Sequence, residues 1–166
     1  MKILNKFQKK LANRKEDNKG FSLVELIIVI AIMAILVGIV GTQVLPYINK
    51  SKEAKDFQII NSYGTAATTA YSSNAEKVTD VTTIVVYGTN TDAAGKPAAT
   101  LETEIKDLVG YANSSNLVAK MGSKKGKKIA AVKIVIDPKT DKTITTQAYE
   151  DTACTKPVFD QVVTQL

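Results

Sequence analysis

The sequence predicts an α+β chain in which one long helix precedes a small antiparallel sheet. Three observations predict it. From Leu26 to Val44 there is no ionisable residue, and only Thr42 and Gln43 are polar. Beyond Pro46, apolar residues recur at helical spacing, so the helix is expected to continue. Further on, Ile129–Ile136 and Thr143–Tyr149 flank the turn-rich run Asp137–Lys142, a hairpin pattern.

Composition bounds the chemistry. The chain has 166 residues, a prior of one domain, and with 45% hydrophobic and 23% charged residues it is no disordered polymer. It has no His and one Cys, so imidazole catalysis, His–metal sites, a four-thiolate zinc site and an intrachain disulfide are all excluded. The net charge of +6 suggests nucleic acid until it is located. Residues 1–20 hold seven basic and two acidic residues, and residues 21–166 hold fifteen and fourteen. The excess therefore belongs to a short leading segment, and nucleic acid as a partner is left unsupported.

The apolar run has the length to cross a bilayer, which takes about 20 residues of helix. A soluble core helix keeps a polar stripe, and Leu26–Val40 has none. The basic flank orients the N-terminus to the cytoplasm and sends residues after 48 outward. A secretory signal peptide has a shorter apolar core and an A-x-A-like cleavage site; neither is present. Glu25, inside the apolar segment, is expensive there and needs a partner or a function. Its structural alternative is a carboxylate favoured by the helix N-terminal dipole.

The junction Lys19-Gly20-Phe21-Ser22-Leu23-Val24-Glu25 resembles the class III leader junction of type IV prepilins, over residues 14–46. The resemblance implies a pilin-like lollipop: a basic leader (1–20), a membrane and filament-core helix (21–46), and an extracytoplasmic head (47–166) carrying the second half of the helix. It implies that prepilin peptidase cuts between Gly20 and Phe21 and methylates the Phe21 amino group. It also implies a single-pass precursor in the cytoplasmic membrane, then a homopolymer in an extracellular filament built by pilus or secretion machinery. No catalytic residue, metal or cofactor is expected.

Glycine before the cut lets the backbone fit closely into an enzyme cleft. Cutting there creates an ammonium one turn from Glu25. In a helix bundle, Glu25 can then face a neighbour's ammonium, an attraction of about 4 kcal/mol at 4 Å before desolvation. Glu25 is thus the expected register device for subunit assembly. Three functions fit: a type IV pilus subunit, a pseudopilin of type II secretion or DNA uptake, and a single-pass membrane protein with an extracytoplasmic binding domain.

The remaining elements follow in order. Many members of that family carry a helix-breaking Pro where this chain has Thr42; here Gly38, Gly41 and Pro46 are expected to bend or locally melt the helix. Ile48, Ala54, Phe57, Ile60, Tyr63, Ala67 and Tyr71 mark the buried face of its continuation, to about Tyr71. Thr82–Tyr87 reads as a strand and Gly88–Ala99 as a loop. Thr100 reads as the N-cap of a helix over 101–112. Val158–Leu166 is strand or short helix. Lys124–Lys128 reads as a solvated loop, with DNA, an anionic surface or a neighbouring subunit as alternatives. Asp137, Asp141, Glu150 and Asp151 match no calcium loop. Cys154 is expected to be a buried or half-buried neutral thiol.

Overall fold

The computed structural model describes residues 20–90 and 97–166. The expected leader before Gly20, and residues 91–96 of the expected loop, lie outside the described residues. The chain divides into two compact units, Met1–Pro46 and Tyr47–Leu166.

The first unit contains α1, Leu23–Ile39. Ser22 caps it: its Oγ accepts from Val24 N at 3.4 Å, and Leu26 N reaches Ser22 O at 3.1 Å. Every residue of α1 is exposed. An apolar helix that buries no face among the described residues meets the condition of a membrane span or bundle element.

The expected melting near Pro46 does not occur. The helix instead widens into a single π-turn at Val40–Val44, where Leu45 N bonds back to Val40 O. The cause is local. Pro46 offers no N–H to the preceding turn and its ring crowds that carbonyl; a π-turn shifts the hydrogen-bond register and makes room. Thr42 Oγ1 adds a bond to Gly38 O at 3.0 Å.

In the second unit, α2 (Leu45–Asn74, starting at the unit boundary) supplies the core helix. Its buried face begins only at Asp56 and continues through Ile60, Tyr63, Ala67 and Ala70. Ile48 and Ala54, expected on that face, are exposed. They sit at the right spacing but precede the first residues that the sheet and loops cover.

The sheet is antiparallel with strands in chain order: β1 Thr82–Val86, β2 Ala131–Asp137, β3 Thr143–Tyr149 and β4 Val162–Gln165. The Val158–Leu166 ambiguity thus resolves as a strand. Ile84 pairs with Ile134, Ile134 with Thr146, and Thr146 with Val162. Strict alternation puts Ile84, Val86, Val132, Ile134, Ile136, Ile144 and Ala148 on the buried face. Each such aliphatic side chain contributes about 1.5–3 kcal/mol of burial before entropy. Gly64 of α2 lies over the sheet: a Cβ there would stand 3.4 Å from Thr146 Oγ1 and 3.7 Å from Thr164 Oγ1, ordinary van der Waals distances.

Two helices complete the core. The first, α3, spans Pro97–Val109, and α4 spans Ser114–Lys120. Thr100 is therefore not an N-cap but lies within α3, which Pro97 opens with its favourable fixed φ. The helix also stops earlier than expected. Gly110, at φ +75°, takes the left-handed C-terminal position, and its N–H bonds to Lys106 O at 3.0 Å. Asn113 then caps α4, accepting from Asn116 N at 2.9 Å. β2 begins at Ala131 rather than Ile129, after a 3-10 turn at Gly126–Lys128.

Candidate assembly site at the helix start

Gly20, Phe21, Ser22 and Glu25 form one short segment around the N-cap of α1. Among the described residues, a Cβ on Gly20 would meet nothing within 4 Å. The described part of the fold therefore places no demand on glycine there. Phe21 is 87% exposed, the most exposed of the large apolar side chains among the described residues.

Ser22 and Glu25 make a reciprocal capping box. While Ser22 caps the helix, its own N–H donates to Glu25 Oε2 at 2.8 Å. Sequence reasoning missed this pair, although Ser-x-x-Glu before an apolar run is its signature. The bond fixes one carboxylate oxygen to the backbone. A carboxylate accepts more bonds than one, so capping does not exhaust Glu25. Along the exposed helix, Gly38 and Gly41 also have nothing within 4 Å of an added Cβ. Small residues on an open apolar helix permit close approach of a second helix.

The head contains features the sequence only half disclosed. Asp56 is buried at 1% exposure, and its two oxygens accept Gly122 N and Ser123 N, each at 2.8 Å. Its position on the face of Ile60 and Tyr63, at i+4 and i+7, was the available signal. Gly126 packs directly over that carboxylate, and its N–H donates to Ser123 Oγ at 2.9 Å. Within the Lys124–Lys128 run, Lys125 pairs with Glu53 at 3.0 Å and Lys128 with Glu150 at 3.1 Å.

A tyrosine chain crosses the core. Tyr63 and Tyr87 hydroxyls are 2.8 Å apart, and Tyr87 donates to Tyr111 O at 2.5 Å. Since Tyr87 has spent its proton, Tyr63 is the donor to Tyr87. Burial is the main reason that both phenols are pushed above the usual tyrosine value. Tyr87 also adopts φ +70°, which ends β1 one residue short of the expected Tyr87.

The acidic residues form turns. Asp137 accepts from Lys139 N at 3.0 Å and Thr140 N at 2.8 Å, and Asp151 binds Thr155 N at 2.8 Å. These backbone and hydroxyl bonds hold both carboxyls below the usual aspartate value. Among the described residues, no three metal-ligating side chains of His, Cys, Asp or Glu converge. Cys154 is half-buried, and burial pushes its thiol up.

A capped, wholly exposed apolar helix opening at Gly20–Phe21, followed by helix and antiparallel sheet, defines a pilin-like α+β protein. Residues 17–41 match the family model of the prokaryotic N-terminal methylation motif, the type IV prepilin leader. The chain thus carries a prepilin-type processing signal on an apolar helix long enough to cross a membrane, which fits a membrane-anchored precursor. No curated protein and no solved structure gives a match.

Proposed function

We propose that this chain is the structural subunit of a type IV pilus. Residues 1–20 are its leader, 21–46 its filament-core helix and 47–166 its head. Prepilin peptidase cuts after Gly20 and methylates Phe21. The observation that carries this reading is α1: seventeen apolar-rich residues with no buried face, starting at Leu23, three residues after Gly20 and within the residues that the methylation motif matches. A helix that leaves the bilayer can keep such a surface dry only against copies of itself. The open Gly20 supports a requirement imposed from outside the fold.

In the filament, Glu25 keeps Oε2 on Ser22 N–H and offers its remaining capacity to the Phe21 ammonium of a neighbour. An unpaired carboxylate in the bundle costs several kcal/mol, which penalises misregistered subunits. The test is Glu25→Ala in the producing cell. It leaves cleavage and membrane insertion intact and abolishes or sharply lowers the surface fibres seen by electron microscopy; wild-type fibre counts sink the proposal. Long surface fibres in the wild type separate this reading from the pseudopilin one, which calls for a short fibre within the envelope.

A further inference from the structure

Six exposed lysines gather where the head begins: Lys50, Lys52 and Lys55 on α2, and Lys120, Lys124 and Lys127 around the following loop. The loop is held there by structure. Asp56 binds Gly122 N and Ser123 N, and a Cβ on Gly122 would stand 3.6 Å from Lys52 Cγ. None of the six makes an ion pair among the described residues. The nearby acids are largely spent: Glu53 on Lys125, Glu150 on Lys128, and Asp56 on backbone N–H groups. Asp160 remains, on the cleft lined by Phe57 and Phe159. At the far end of β2 there is no such excess of lysine: Asp80 pairs with Lys139, and Asp137, Asp141 and Lys142 lie in the same hairpin.

Along the chain, the α2 lysines of this cluster follow the apolar segment closely. Lys50 follows Pro46 by four residues, about 6 Å of helix, and Asp56 follows by ten, about 15 Å. Tyr47, 74% exposed, stands between apolar run and lysines, the place of an interfacial aromatic. An apolar span, then an aromatic, then lysines on both helix and loop is the order of layers at a bilayer surface.

We propose that this lysine collar docks on anionic phospholipid headgroups of the membrane face on which the head emerges, holding the subunit before assembly. The inference rests on reading residues 21–46 as membrane-inserted, and the experiment separates the two. The full chain is reconstituted into phosphatidylcholine vesicles with or without about one third phosphatidylglycerol. Carbonate extraction reports insertion. A water-soluble acylating reagent and peptide mass spectrometry then report the labelling rates of Lys124 and Lys127, with Lys142 as internal reference.

The expected result is carbonate-resistant protein in both vesicles. Labelling of Lys124 and Lys127 slows about fivefold in the anionic vesicles, roughly the factor one lysine gains near such a surface. Lys142 is unchanged, and 0.5 M salt, roughly a 4–5 Å screening length, removes the protection. Lys52→Gln weakens the protection of Lys124 without altering insertion. Equal rates in both vesicles, with insertion intact, overturn the collar alone. Protection that appears in neutral vesicles and grows with protein density assigns the collar to a second copy and overturns it. So does protection by added duplex DNA in neutral vesicles without any effect of anionic lipid. Carbonate-extractable protein overturns both the collar and the membrane reading.

Discussion

Gly64 of α2 faces Thr146 of β3 across the core, with a Cβ built on the glycine standing 3.4 Å from Thr146 Oγ1. That hydroxyl is buried and has no hydrogen-bond partner among the described residues. The hydroxyl bears a desolvation cost with nothing to offset it. Thr146→Val keeps the shape and removes the orphan atom. It is expected to stabilise the chain by about 1 kcal/mol, read as a higher melting temperature in detergent micelles. A lower melting temperature would show that the hydroxyl has a partner.

Asp56 and Gly126 are expected to behave as a lock and its clearance. Asp56→Ala strands the buried Ser123 N–H and frees the lysine-bearing loop, a loss of about 1–3 kcal/mol. Gly126→Ala drives a Cβ into the same carboxylate, destabilising by a similar amount. Combining them should cost less than the sum, because removing the carboxylate relieves the clash. Denaturant melts of the four proteins measure the coupling; strict additivity refutes the contact.

The tyrosine chain sets an alkaline limit. Tyr63 is held neutral in the folded head, so its folded pKa lies above the unfolded value of about 10. Stability from this group is complete below pH 10. It is lost as pH rises further, because the unfolded chain releases a proton that the folded one retains. Tyr63→Phe should cost about 1 kcal/mol at pH 7 and flatten the decline above pH 10. Chemical denaturation at a series of pH values from 7 to 11 checks both halves.

Processing is expected to respond to bulk at Gly20 and not to the fold. Gly20→Ala should slow cleavage and Gly20→Leu should block it, while thermal stability of the uncut chain stays unchanged, since the site is open. Intact-mass measurement should give a mature chain beginning at Phe21 with one added methyl group. A mature chain beginning after Gly38 would restore the signal-peptide reading.

The apolar span and the β2–β3 hairpin were legible because each is announced by a local pattern: absence of charge in one, alternation around a turn in the other. Thr143–Tyr149 has the same limits in sequence and structure. The misread parts depend on what lies across the fold. Ile48 and Ala54 obey the helical period yet are exposed, because period alone does not say where the covering sheet begins. Thr100 looked like a cap, but Pro97 opens α3 and Gly110 closes it, which leaves room for α4 behind Asn113. At the helix start, Glu25 was visible as an anomalous charge. Its bond to Ser22 N–H has an equally local signature, Ser-x-x-Glu ahead of an apolar run.

The order of elements along the chain carries a consequence for timing. The buried face of α2, at Ile60, Tyr63, Ala67 and Ala70, is synthesised before any strand that covers it. Strands β2 to β4 lie beyond residue 130, and β1 must wait for β2 to pair. No early fragment of the head can close a core, because a lone amphipathic helix gains little by itself in water. The nascent head therefore stays threadable while the apolar helix is already available to the membrane. Completion of the core is thereby deferred until β2 to β4 are available, which on the proposed function lets the head close only after the apolar helix has met the membrane.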